Sequence, residues 1–387
     1  MIERLYIDNY RCFSNFEVTL GSSTLLVGRN GCGKSSLWEV LAGLQDMVAH
    51  GRAAEEAFPE HCRTRWDTRR EQTFELSATV DGVRYEYRWV VSHYEGTRGR
   101  GATLLEERVV GNGVSLYQRA SDGMVELFGN DPGGNQPRTR IPFDTGRSFL
   151  PALQDRPDNT LLRQFRTFVE NIQLLSINGS GMESESRGEV TRLARDAKNF
   201  VSWLSARVLD DPSIAEKMSR DLREAVPGFQ SLRFERVGRQ GRELVIDVRP
   251  HGKGRSFGLG FGELSDGERV LLVAYGLLHG VSANTFLFLD EPDNFLALTE
   301  IQPWLSKLRE DLPERGAQLL LASHQSETID YLAADEVIVL NRPGGGPVRA
   351  GGLEFDLESG VSTSEWLASA ERHSLPEQDP TVIERES

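Results

Sequence analysis

Apolar positions along the chain change their period several times, and each change marks an element. Residues 2–7 and 16–20 read as two short strands, and 24–27 as a compact apolar strand. Leu37, Val40, Leu41 and Leu44 then recur at helical spacing. From residue 73 to about 127 the pattern alternates through TFELSATV, VRYEYRWVV, LLEERVV, VSLYQRA and MVELF, with turn pairs at Asp81-Gly82 and Asn112-Gly113. Residues 128–147, rich in Gly, Pro and Arg, predict a mobile loop. A helical reading covers 161 to about 224, with Leu193, Phe200, Leu204 and Val208 as core positions. SLRFERV and ELVIDV predict a hairpin, and residues 266–278 a helix. TFLFLD and AQLLLASH are short and wholly apolar, as parallel strands covered on both faces are. A helix is expected between them, and DEVIVL predicts one more strand. The tail after Ser374 is polar, and there is no internal repeat or long heptad run.

Composition narrows the class. Of 387 residues, 39% are hydrophobic and 26% charged, which excludes wholesale disorder. The longest apolar run, 270–278, is half the ~18 residues of a membrane span. The opening MIERLYIDNY has no signal-peptide core. Cys12, Cys32 and Cys62 show no metal or redox spacing. A soluble protein of the reducing cytoplasm, with no membrane partner, is the expectation. The net charge of −14 argues against coating nucleic acid with the whole surface but leaves room for a local basic groove. Five of the 44 basic residues are lysines, and the single lysine between residues 1 and 197 is Lys34.

That lysine stands in Gly28-Arg29-Asn30-Gly31-Cys32-Gly33-Lys34-Ser35, followed by Ser36, which fits G-x-x-x-x-G-K-[ST] between a strand and a helix. Glycines let backbone N–H groups turn inward around phosphates. The helix N-terminus adds a favourable dipole. Lys34 brings a point charge to the β and γ phosphates, and Ser35 a hydroxyl to Mg²⁺. Asp290-Glu291 closes the apolar strand 285–289, where doubly wound sheets place ligand chemistry. Asp290 is the candidate Mg²⁺ ligand, and Glu291 the group that orients the attacking water or takes its proton. Ser265, Gly267 and Glu268 open a helix. Ser265 and Glu268 have capping-box spacing, and a capped helix start also suits a γ-phosphate contact. His324 ends the next apolar strand and is a candidate contact to the γ-phosphate or the water.

These four elements, in this order, resemble the ABC-type ATPases. Residues 28–35 look like Walker A, 264–268 the signature, 287–291 Walker B and His324 the H-loop. About 230 residues separate Lys34 from Ser265, too many for a transporter subunit. The opening Ile2-x-x-Leu5-x-Ile7-x-Asn9-Tyr10-Arg11-Cys12-Phe13 resembles RecF, SMC and OLD-like ATPases, as does GRNGCGKSSLWEVL. DEPDNFL and SHQSETID resemble the OLD-like AAA-family ATPases of bacterial genome maintenance and phage defence. The resemblance implies an α/β fold: a P-loop ABC-type ATPase head over residues 1–355, with a helix and polar tail at 356–387. Within the head it implies an N-terminal lobe with a mixed β segment at 1–150, a helical subdomain at 151–230, and a C-terminal lobe on the parallel-sheet core at 231–355. It further implies a homodimer sandwiching ATP and Mg²⁺, with Ser265 and Gly267 crossing to the partner's phosphates. Arg11 would lie near the phosphates. Gln154 would be the Q-loop metal residue, with Gln173 the alternative.

Three features set the chain apart from that pattern. Ala297 stands where the D-loop usually carries Asp or His, no long coiled coil interrupts the chain, and 63 residues after His324 are too few for a TOPRIM nuclease domain. The leading expectation is an ATP-hydrolysing switch for a separately encoded effector, a nuclease or toxin, in anti-phage defence. The alternative is a RecF-like, ATP-dependent DNA clamp in repair. Arg63, Arg65, Arg69 and Arg70, and Arg98, Arg100, Arg138 and Arg140, are the local basic groups, offset by Asp67, Glu71 and Glu95. The purified chain is therefore expected not to cut DNA, and to bind it weakly with a steep fall in salt. Binding titrations on duplex ends and junctions at two salt concentrations test this. Tight, ATP-dependent binding at physiological salt would favour the clamp.

Overall fold

A computed structural model describes residues 1–352 except 97–98, 120–121, 131–136, 187, 189, 239–240, 250–253, 295, 297, 326–327 and 330–335. The chain opens with β1 (Ile2–Asp8), β2 (Phe16–Thr19) and β3 (Ser23–Val27), then α1 (Lys34–Val48) and the single-turn α2 (Ala54–Ala57). An antiparallel run follows: β4 (Glu71–Val80), β5 (Val83–Gly96), β6 (Gly99–Gly111), β7 (Val114–Arg119), β8 (Met124–Leu127) and β9 (Thr139–Pro142). With β1 and β2 it forms an eight-stranded sheet in the order β2-β1-β4-β5-β6-β7-β8-β9. Asp81-Gly82 and Asn112-Gly113 have φ of 46° and 81°, and of 47° and 79°, the positive values a two-residue hairpin turn needs.

The middle of the chain carries α3 (Thr160–Glu170), β10 (Gln173–Leu175), β11 (Glu185–Ser186), α4 (Phe200–Asp210) and α5 (Ser213–Ala225). The expected hairpin is β12 (Phe229–Val237) with β13 (Gly241–Val248), which β11 and β14 (Phe257–Gly260) extend into a small sheet. Then come α6 (Asp266–Gly280), β15 (Phe286–Asp290), α7 (Leu298–Glu314), β16 (Gln318–Ser323), β17 (Glu336–Asn341) and β18 (Arg349–Gly352). The third sheet has the order β10-β15-β16-β3-β17-β18 and is parallel up to β17.

This core sheet is buried on both faces. Leu26, Phe286, Phe288, Leu320 and Ala322 face one apolar cluster, which continues through α1 into the antiparallel lobe. Leu25, Val27, Leu287, Leu289, Leu319 and Leu321 face a second, filled from α4, α6 and α7 by Phe200, Leu277 and Trp304. The unbroken apolar runs of the sequence have this double burial as their cause.

Two expectations need correction. The stretch 161–224 is not helical throughout, because β10 pairs in parallel with β15 there. Three residues, QLL, are too short to show a strand period. The loop expected at 128–147 contains β9, paired with β8. The tail expected at 356–387 lies outside the described residues.

Gln318 is one of the side chains that join the antiparallel lobe to the core sheet. Buried at the start of β16, it donates through Nε2 to the carbonyls of Ile2 and Gly21, both at 2.7 Å, and accepts from the Ile2 N–H at 2.6 Å. Gln318→Leu would strand three backbone groups, at about 1–3 kcal/mol for each left buried. A loss of about 3 kcal/mol in urea unfolding is expected, and a loss under about 1 kcal/mol would mean that the amide does not tie the lobes.

Candidate functional site

The parallel strands end at one level, and the candidate side chains gather there. β3 gives way at Val27 to the loop 28–33, in which Gly28, Gly31 and Gly33 have φ of 150°, 81° and 106°. Only glycine adopts these values without steric cost. A Cβ on Gly28 would lie 2.5 Å from the Leu340 carbonyl oxygen, and one on Gly33 3.0 Å from the Phe13 ring. Beside Gly31 the space is open. The loop hands directly to α1, whose N-terminus has no side-chain cap and no acidic residue in its first turn. Its free N–H groups and dipole favour an anion. Lys34 is 4% exposed, and its Nζ donates to the Gly28 carbonyl at 2.7 Å. Cys32 is buried, so its contribution to a ligand is its backbone.

Asp290 ends β15 opposite Ser35. Its buried Oδ1 has no hydrogen-bond partner. Burial, aided by the neighbouring Glu291 carboxylate, pushes its pKa above the usual range, although a hydrogen bond from the Ser35 hydroxyl and the charge of Lys34 pull the other way. A carboxylate oxygen left bare next to a hydroxyl is a fitting pair of ligands for a hard cation such as Mg²⁺. Among the described residues no group of three or more His, Cys, Asp or Glu gathers as a cation cage. Mg²⁺ typically takes few protein ligands and completes its shell with phosphate and water.

Glu291 turns out of the strand with φ 51°, held by its N–H on the Ala322 carbonyl at 2.9 Å. Left-handed backbone at a residue other than glycine is uncommon. The turn sends the carboxylate to His324, whose Nδ1 lies 3.0 Å from Oε1, while Asn294 Nδ2 donates to Oε2 at 2.9 Å. Burial pushes Glu291 up, but the Asn294 amide, His324 and Lys34 outweigh it and hold the carboxyl below its ordinary value. Just behind, Ser323 donates to Asp293 Oδ2 at 2.6 Å, which ties the ends of β15 and β16. The pairing role of Asn294 has no strong sequence signal, since DEPDN reads equally as an acidic turn.

Arg11 sits at φ 50° in the turn between β1 and β2 and borders the same cleft. Its guanidinium is 2.5 Å from Glu39 on α1. The cleft, about 560 Å³, is lined by Asn30, Gly31, Gly33, Lys34, Ser35, Ser36 and Glu291, with His61, Arg63, Arg65, Trp66 and Arg342 on its rim.

Other candidates lie elsewhere. Ser265 caps α6: its Oγ accepts from the Glu268 N–H at 3.3 Å, and Glu268 Oε2 accepts from both the N–H and the hydroxyl of Ser265 at 2.8 Å. Glu268 is thus committed to the cap. Ser265, Gly267 and Glu268 do not border the Lys34 cleft of their own chain. The structure places both Q-loop candidates away from the Lys34 cleft. Gln154 is exposed just beyond Pro151, which packs by Gly51 past the far end of α1, and 15 helical residues span about 22 Å from Lys34. Gln173 pairs in register with Leu287, three residues short of Asp290, and borders a cleft with Thr285 at the opposite end of the strands. Asn178, just beyond the end of β10, is nearer the catalytic level, but its side chain is spent on Ser180. Ala297 is outside the described residues. Among the local arginines, Arg69 pairs with Asp8 and Asp67, Arg63 with Glu60, and Arg140 with Asp122 and Glu126.

No curated protein matches the chain. A family described as "AAA ATPase domain" matches residues 1–59. Among solved structures, an SMC head bound to the C-winged helix domain of ScpA superposes with a TM-score of 0.56 at 14% identity, covering 93% of this chain and 99% of that one. An SMC head with an extended coiled coil, bound to the C-terminal domain of ScpA derived from Pyrococcus furiosus, gives 0.50 at 13% identity, covering 96% and 99%. At such identities the likeness is one of fold, and it is an ABC-type ATPase head. Residues 130–330, just over half of the chain, match the family described as "AAA domain, putative AbiEii toxin, Type IV TA system", and the chain belongs to that family.

Proposed function

We propose that this chain is an ATPase whose hydrolysis site is the cleft between the phosphate loop and the ends of β15 and β16. The observation that carries the reading is the convergence there of Lys34, the bare Oδ1 of Asp290, and Glu291 paired with His324. The loop N–H groups, Lys34 and the start of α1 bind the phosphates. Ser35 and Asp290 would hold Mg²⁺, which supplies charge neutralisation when bound. Glu291, held below its ordinary pKa, is a carboxylate at neutral pH and accepts the proton of the attacking water. His324 fixes one of its oxygens, and Asn294 the other. Arg11 exchanges Glu39 for phosphate.

A second copy completes the site in this reading. Ser265, exposed, and Gly267, half-buried, stand at the capped start of α6, outside their own cleft. Head-to-tail association around ATP would bring them to the partner's phosphates. The output is control of a separate effector in anti-phage defence, supported by the family's toxin-system description and by solved heads of this fold that carry a bound partner domain. The engagement of Arg63, Arg69 and Arg140 by carboxylates weighs against the DNA-clamp alternative.

Lys34→Ala removes the one cation aimed at the β and γ phosphates and is expected to abolish most ATP binding in calorimetry with Mg²⁺. Unchanged affinity would place the nucleotide elsewhere. Glu291→Gln should keep ATP binding and slow hydrolysis by ~10²-fold or more. Light scattering of this variant with ATP should show a dimer that wild type forms only transiently. A persistent monomer would remove the sandwich from the proposal.

A further inference from the structure

Among the described residues, Trp66 is one of the few large apolar side chains left in solvent, 47% exposed, and it stands on the rim of the Lys34 cleft. It lies on the segment after α1, between Arg65 and Asp67. Arg342 covers its ring, with the guanidinium carbon 5.7 Å from the ring centroid. Arg342 comes from the opposite wall, one residue after β17, and is itself fixed. Its Nε donates to the Gly346 carbonyl at 3.0 Å, one terminal nitrogen to Gly345 at 2.9 Å, and the other to Gly31 of the phosphate loop at 3.3 Å. All three of these acceptors are neutral carbonyls. The indole is thus held at a set position relative to the phosphate loop, by a contact that reaches the loop's own backbone.

We propose that Trp66, backed by Arg342, is the base subsite of the cleft: the aromatic base of a nucleoside triphosphate stacks on the indole while its phosphates lie on the loop. This rests on the nucleotide reading above and adds to it. The argument is one of surface chemistry. An indole in water at the mouth of a cationic cleft gains by being covered with a flat aromatic partner. Arg342, already spent on three carbonyls and stacked on the ring, is pre-ordered to support such a stack. Of the other cationic side chains on the rim, Arg11 is engaged by Glu39 and Arg63 by Glu60. Base stacking on an aromatic side chain is worth roughly a factor of 5–150 in affinity.

The test separates base from phosphate. Calorimetry measures ATP and inorganic tripolyphosphate, each with Mg²⁺, on wild type, Trp66→Ala and Trp66→Phe. Trp66→Ala is expected to weaken ATP about tenfold or more and to leave tripolyphosphate within twofold, and Trp66→Phe to recover most of the loss. Tryptophan fluorescence should be quenched by ATP but not by tripolyphosphate in wild type, and the quench should vanish in Trp66→Ala. Equal weakening of both ligands would make Trp66 a structural support for the loop and overturn the proposal. No weakening of either would do the same. If neither ligand binds wild type, the nucleotide reading itself fails, which is a different outcome from loss of the base subsite alone.

Discussion

Val27 pairs with Ser323, and Ala322 with Asp290, so the three central strands of the core sheet end at one level. Everything chemical follows from that register. The phosphate loop lies more than 250 residues before the Asp290-Glu291 pair and His324, and the parallel pairing of β3, β16 and β15 brings all three to one edge of the sheet. A parallel strand shifted by two residues would move its end by about 7 Å, more than the Glu291–His324 hydrogen bond tolerates. The register is in turn fixed by apolar packing on both faces, where one-residue slips would exchange the two cores.

Much of this was legible in the chain, for reasons tied to particular residues. The glycine loop and its lysine announce themselves because backbone geometry and a point charge both demand specific residue types. TFLFLD and AQLLLASH were recognisable as buried parallel strands because double burial abolishes alternation. The failures share a cause. Residue type alone points to Gln154 and Gln173, but distance from the cleft is set by tertiary structure, and β10, three residues long, is too short to show a period that would place Gln173. Trp66 and Arg342 meet only through tertiary structure, across 275 intervening positions, and neither carries a local period. Asn294 and Glu39 act as partners to charges, and partnership leaves no trace in spacing.

Glu291 illustrates how local strain and tertiary fixation support one another. Its left-handed backbone is held by the Ala322 carbonyl, its carboxylate by His324 and Asn294. Lost separately, either restraint would let the side chain swing toward solvent. Together they present a pre-ordered anion at the mouth of a cationic loop, so little reorganisation is left for the reacting state. Asp290, one residue earlier, is kept in the opposite condition, buried and short of partners. Two adjacent carboxylates thus receive different electrostatic surroundings from a single turn of backbone.

β3 lies between β16 and β17 in the core sheet. The strand made among the first thirty residues therefore finds its two neighbours only after residues 318–341 exist. On the ribosome the antiparallel lobe can assemble early, since its strands pair mostly with near neighbours. The loop 28–33 waits beside it with no sheet edge to lean on. Nucleotide competence therefore waits for residue 341, and a product that stops short of it would display the motif without possessing the site.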